Sequence, residues 1–184
     1  KRTAEGVELR VHPTLIPARR LIANVEGAMN AVLVKGDAVG ATLYYGKGAG
    51  AEPTASAVIA DLVDVTRMHT ADPEHRVPHL AFQPDAMLDL AILPISEVVS
   101  SYYLRLRVED RPGVLADVTR ILADDGISIV AMIQREPGEG EEQTDIIMLT
   151  HKTRERNIDT AIAGIESLPA VKGRIIRLRL EELL

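Results

Sequence analysis

Three glycines fall in five residues at Gly46-Lys47-Gly48-Ala49-Gly50, followed by Pro53-Thr54 and the apolar positions Val58, Ile59, Leu62 and Val63. The preceding Ala41–Tyr45 run is apolar, so the stretch reads as strand, bare-backbone turn, helix. Glycine removes the side chain where a backbone turns tightly or approaches a ligand. Pro53 and Thr54 suit a first helical turn, where a missing N–H costs nothing and a hydroxyl can cap. Such a helix start has free N–H groups and a partial positive charge, which can receive an anion or a carbonyl oxygen. Gly46, Gly48 and Ala51 also fit G-x-G-x-x-A, but the dinucleotide unit needs a second strand ending in an acidic residue. Here the helix runs into Met68-His69-Thr70-Ala71-Asp72-Pro73, which is not a strand. No Gly-Lys-Ser/Thr follows, so the turn is not a P-loop. Spacing alone leaves two readings open, a structural turn or a ligand-facing loop.

Other reactive side chains are sparse. Lys35 and Asp37 read as solvated residues of a hairpin turn, and Lys47 as a surface residue or a phosphate neighbour. His12, His69, His75, His79 and His151 show no metal-ligand spacing, so no metal is expected. Glu139, Glu141 and Glu142 read as a solvated loop. With no cysteine, disulfides and thiolate chemistry are excluded, in keeping with a cytoplasmic origin.

Composition narrows the partners. The 184 residues are 46% hydrophobic, enough for a real core, with a net charge of −6. Residues 1–100 carry 9 basic and 12 acidic groups, and residues 101–184 carry 12 and 15. Neither part has a basic surplus, which speaks against nucleic acid. No apolar run approaches the ~20 residues of a membrane span, and no signal peptide is visible. The chain starts Lys1-Arg2-Thr3, without methionine, as expected of a fragment.

The elements that position these residues follow from period and punctuation. Val7, Leu9 and Val11 alternate with Glu8 and Arg10, predicting a half-buried strand that Pro13 and Pro17 end. Asn30–Lys35 and Ala41–Tyr45 form a hairpin around Gly36–Gly40. Residues 71–100 are a proline-punctuated linker. Beyond it, Tyr102, Leu104, Leu106 and Val108 alternate with Tyr103, Arg105, Arg107 and Glu109, a strand with one wet face. Asp110-Arg111-Pro112-Gly113 turns into a helix that Gly126 ends. Strands follow at Ile127–Gln134 and around Ile146–Leu149, a helix at about Asn157–Leu168, and a last strand with Ile176, Leu178 and Leu180. The order is βαββαβ, two helices on one face of an antiparallel sheet.

That order, with Val108-Glu109-Asp110-Arg111-Pro112-Gly113-Val114-Leu115-Ala116 and Gly126-Ile127-Ser128-Ile129, resembles the ACT domain. The resemblance implies a small amino-acid effector near the first strand-to-helix turn, side-by-side pairing of copies, and Asp110, Arg111, Gly113, Val114, Leu115, Ile127 and Ile129 as effector-binding residues. A glycine turn at a helix start can receive an α-carboxylate, and an acidic side chain an α-amine. The alternative is that Asp110 and Pro112 only cap the helix.

Residues 1–70 resemble the C-terminal part of the homoserine dehydrogenase catalytic domain, through Val34–Gly40, Tyr45–Gly50, Pro53–Val58, Asn24–Ala31 and the Leu93-Pro94-Ile95 connector. The fold class implied is α+β: an incomplete α/β catalytic-domain segment (1–70), a linker (71–100) and a ferredoxin-like βαββαβ ACT regulatory domain (101–184). The resemblance places Gly48, Ala49, Gly50, Pro53 and Thr54 beside an NAD or NADP cofactor. The catalytic lysine and aspartate are expected upstream, so no catalytic residue is assigned here. It implies interconversion of aspartate 4-semialdehyde and homoserine by the intact protein. It also implies control by an amino acid, threonine foremost, and homo-oligomers through both the ACT and the catalytic interfaces. A non-catalytic amino-acid-binding module is the alternative.

Overall fold

The computed structural model describes residues 1–71, 82, 84–138 and 140–183. His75, His79 and Glu139, and much of the expected linker, lie outside them. The chain divides into two compact units, Lys1–Pro17 with Leu90–Leu184, and Ala18–Asp89. This division differs from one at 70 and 100: the first seventeen residues share a unit with the C-terminal sheet.

That unit is built on a sheet of order β1-β8-β4-β6-β5. Its strands are β1 (Thr14–Leu15), β4 (Val99–Glu109), β5 (Ile129–Gln134), β6 (Gln143–Thr150) and β8 (Ile176–Leu180), with β7 (Thr153–Arg154) pairing the start of β4. β4 lies between β6 and β8, antiparallel to both. β1 adds to the edge in parallel with β8. Helices α2 (Val114–Asp124) and α3 (Glu155–Glu166) connect the strands in the expected βαββαβ order. Their apolar stripes bury Val114, Val118, Leu122, Ile158, Ala161 and Ile165 against Tyr102, Leu104, Leu106, Val108, Ile146 and Met148 of the sheet. Burying one such aliphatic side chain contributes roughly 1.5–3 kcal/mol, so this layer carries most of the unit's stability.

One expected strand is absent. Residues 7–11 make only isolated bridges at Val7, and the strand forms instead at Thr14–Leu15. The alternation is also inverted: Leu9 is 63% and Val11 104% exposed, while Glu8 is 6% exposed. Period-2 patterning reports that two faces differ, but not which one is covered. Here an ion cluster of Glu8, Arg10 and Glu181 takes the covered side.

The second unit contains β2 (Met29–Gly36) and β3 (Gly40–Lys47), paired in register from Met29↔Lys47 to Gly36↔Gly40, and α1 (Ala51–Thr70). The hairpin matches its expected position. Among the described residues of this unit no side chain is fully buried, and Val32, Val34, Tyr44, Tyr45, Val58, Ile59 and Leu62 are exposed. A two-stranded hairpin is marginal in isolation, so these apolar faces need further structure to cover them.

Candidate functional site

The first site is the β4–α2 turn. β4 delivers Glu109 and Asp110 to the end of the sheet. Gly113 then caps α2 at φ 94°, a conformation open to glycine without strain. No side chain caps α2, so its leading N–H groups stay available. The turn lines a cleft of about 430 Å³ with Val108, Glu109, Asp110, Arg111, Gly113 and Leu115, and Gln134 of β5 and Ile146 of β6 also line it. Five of the seven expected effector residues therefore meet in one cleft: Asp110, Arg111, Gly113, Val114 and Leu115. The other two do not line it. Ile127 is buried in the core and Ile129 packs against that core, because their stretch leads from α2 back into the sheet.

Three partners of this turn were not legible in the sequence. The Gln134 amide donates to Asp110 Oδ1 at 3.2 Å. Lys172 Nζ lies 2.7 Å from Glu109 Oε1, and the Arg111 guanidinium 2.9 Å from Glu109 Oε2. The Lys172 ammonium and then the Arg111 guanidinium hold the Glu109 carboxyl below the usual carboxylate range. Glu142 supplies its carbonyl to the Asp110 N–H at 2.9 Å. All three, Gln134, Lys172 and Glu142, belong to strands or connections far along the chain, and only sheet register brings them here. A second, polar cavity of about 620 Å³ flanks the turn, lined by Glu109, Asp110, Arg111, Glu141, Glu142, Gln143 and Lys172. Arg107 bridges its rim, 3.0 Å from Glu141 and 3.4 Å from Asp145.

The cleft thus offers a carboxylate, a helix start and an apolar floor within one small volume. That is the donor set for a zwitterion with a short side chain: an amine against Asp110, a carboxylate against the α2 N–H groups, and alkyl surface against Val114, Leu115 and Ile146.

The second site is the glycine turn between β3 and α1. Gly48, Ala49 and Gly50 connect the end of β3 to Ala51, the first helical residue. Gly50 is the helix cap at φ 121°. A Cβ at Gly48 would lie 2.5 Å from Nδ2 of the exposed Asn30 side chain, which would have to move aside. Pro53 falls within the first turn, as expected. Thr54 does not cap: no side chain caps α1, and the Thr54 N–H donates to the Gly50 carbonyl at 3.1 Å. Gly48, Ala49, Gly50 and Thr54 are exposed, and Pro53 is half-buried. The turn is bare backbone ahead of an uncapped 20-residue helix, and nothing covers it among the described residues.

Residues 1–63 match the family model for homoserine dehydrogenase, and residues 102–170 match that for the ACT domain. The homoserine dehydrogenase of Pseudomonas aeruginosa is 58% identical over 183 residues, covering 100% of this chain and 42% of its own length. That of Methylobacillus glycogenes is 63% identical, covering 100% of this chain and 43% of its length. A crystal structure of a homoserine dehydrogenase from Thiobacillus denitrificans superposes with a TM-score of 0.89 at 69% identity, covering 100% of this chain and 41% of that one. The chain therefore spans about two fifths of the length of the relatives it matches.

Proposed function

This chain belongs to the homoserine dehydrogenase family and carries that family's ACT domain, and from that premise we propose that it forms the regulatory part, and one wall of the active site, of an enzyme interconverting aspartate 4-semialdehyde and homoserine. The observation that carries this reading is the exposed Gly48–Gly50 turn at the uncapped start of α1, in the segment that matches the catalytic family model.

A nicotinamide cofactor, NAD or NADP, would supply the hydride. The residues present fit one of its polar groups: Gly48 and Gly50 leave backbone exposed, and the first turn of α1 presents N–H groups without a competing side chain. In this reading Gly48, Ala49 and Gly50 set the approach distance, and Pro53 and Thr54 fix the helix start behind them. The proton and the substrate hydroxyl are handled by residues outside this chain. The non-catalytic module is the weaker alternative, because residues 1–63 match the homoserine dehydrogenase family model.

The Asp110 cleft is the effector site in this reading, with Arg111, Gly113, Val114 and Leu115 around a small amino acid, threonine foremost. Pairing of two copies through the sheet is part of the same proposal. β8 is already covered by β1, whereas the outer edge of β5 carries unpaired backbone groups beside Gln134 of the cleft. A second interface comes from the exposed hairpin and helix faces of Ala18–Asp89. Among the described residues no helix is long and apolar enough to cross a membrane, and a cytoplasmic site of action is proposed. The test is steady-state kinetics on the intact protein. Homoserine oxidation with NAD or NADP, suppressed by L-threonine, is expected; absence of any homoserine-dependent reduction of either cofactor overturns the reading.

A further inference from the structure

We propose that residues Gly6–Leu15 form a releasable strap through which the ACT unit acts on the catalytic segment. This rests on reading the Asp110 cleft as an amino-acid site. The strap belongs by sequence to the stretch matching the catalytic family model, yet it lies in the ACT unit. Directly after Pro17 the chain passes into Ala18–Asp89, and it returns at Leu90.

The strap is attached at two places. The Val7 N–H donates to the Ala91 carbonyl at 2.8 Å, and the Leu93 N–H to the Val7 carbonyl at 2.9 Å. Both covalent passages between the units are thereby joined to each other on the ACT side. β1 then adds to β8 at Thr14↔Arg179 and Leu15↔Leu180, and the Glu181 N–H donates to the Leu15 carbonyl at 3.1 Å. Between these points Arg10 Nη2 lies 2.8 Å from Glu181 Oε1 and 3.4 Å from Glu8 Oε2.

The attachment is polar and incompletely satisfied. Glu8 Oε2 and Arg10 Nη1 are buried without a hydrogen-bond partner. A buried polar group without a hydrogen bond is destabilising, which lowers the cost of letting go. Leu9 and Val11 face outward and add nothing to the core of this unit. Pro13 and Pro17 flank β1 and restrict the backbone, so displacement of Leu15 is passed on rather than absorbed.

The strap is also continuous with the cleft. Glu109 lines the cleft and pairs with Lys172. The Glu109 N–H donates to the Ala170 carbonyl and the Lys172 N–H to the Arg107 carbonyl, both at 2.8 Å. Ala170–Lys172 leads into β8, the strand that holds β1. Coupling of this kind needs the ligand to favour one of two arrangements. The strap, held or released, supplies them.

The experiment uses the intact enzyme with Arg10→Ala and, at the other attachment, Gly6→Val, whose side chain would collide with the Ala91 carbonyl oxygen. Neither residue lines the cleft or the glycine turn. Calorimetry with L-threonine, inhibition of homoserine oxidation, and hydrogen exchange at the Glu181 amide are measured together. Both variants are expected to bind L-threonine as wild type does, to exchange Glu181 faster, and to need about tenfold more L-threonine for half inhibition, within the span of allosteric couplings. Fast exchange at Glu181 with an unchanged inhibition curve overturns the strap alone. Unchanged exchange in both variants overturns these two attachments as what holds the strap. Wild-type enzyme that binds no L-threonine refutes the cleft reading, and the strap's role with it.

Discussion

The Tyr102 hydroxyl donates a 2.7 Å hydrogen bond to Glu155 Oε2 inside the ACT core, joining the central strand to the first turn of α3. Arg179 Nε donates to the same oxygen at 2.9 Å, its Nη2 pairs with Oε1, and Arg177 Nη1 lies 3.3 Å from Oε1. A fully buried carboxylate is therefore held by strands β4 and β8 at once. Removing one partner of such a pair leaves charge uncompensated, at a cost of about 3–5 kcal/mol. Arg179→Ala is expected to destabilise this chain by that order in urea unfolding. Tyr102→Phe, which loses one hydrogen bond to a charged group, should cost about 1.5–3 kcal/mol. Equal midpoints for wild type and Arg179→Ala would show that the network is not holding the sheet edge.

The same carboxylate sets an acid limb. Burial raises its pKa, but the Arg179 guanidinium and the Tyr102 hydroxyl outweigh burial and hold it below the usual range. A depressed folded pKa gives stability that is complete above the unfolded value of about 4.3 and lost as pH falls through the folded value. Stability of this chain should decline below about pH 4.5, and Glu155→Gln should flatten that limb while lowering stability at neutral pH. An unchanged slope in Glu155→Gln, measured by thermal unfolding across pH 3–7, would remove Glu155 as its source.

At alkaline pH the sign reverses. Burial, then the Glu155 hydrogen bond and charge, push the Tyr102 phenol far up. A raised folded pKa gives stability that is present below about pH 10 and lost as pH climbs above it. Tyr102→Phe should therefore weaken the decline above pH 10; ultraviolet titration showing Tyr102 ionising at the ordinary tyrosine value of about 10 would contradict this.

In the cleft, Asp110→Ala should weaken L-threonine binding to the intact enzyme by about tenfold, the loss of roughly 1.4 kcal/mol from one charge-assisted contact. Calorimetry giving equal affinities would take Asp110 out of the site. Gly113→Val should do more, because it strains the φ 94° cap and moves the helix start together with its N–H groups.

The glycine turn makes a kinetic prediction. Gly48→Ala pushes the Asn30 side chain aside and puts a methyl group on the exposed turn. In the intact enzyme KM for the nicotinamide cofactor should rise with little change in folding midpoint. This 184-residue chain by itself is expected to show no NAD- or NADP-dependent homoserine oxidation, because it spans only about two fifths of its relatives' length. Measurable turnover by the purified chain would refute that division of labour.

The βαββαβ order, the Gly113 turn, the β2–β3 hairpin and the glycine stretch before α1 were legible in the sequence. Each depends on contacts within a few residues: period, glycine conformation and helix starts act locally. Tertiary structure alone decided the rest. Gln134, Glu142 and Lys172 reach the Asp110 turn through strand register, and Ile127 is drawn into the core by the return of α2 to the sheet. The inversion of Glu8 and Arg10 against Leu9 and Val11 depends on Glu181, 171 residues beyond Arg10. A local pattern states that two faces differ; which face is covered is set by what arrives from elsewhere in the chain, and that is a property of the fold.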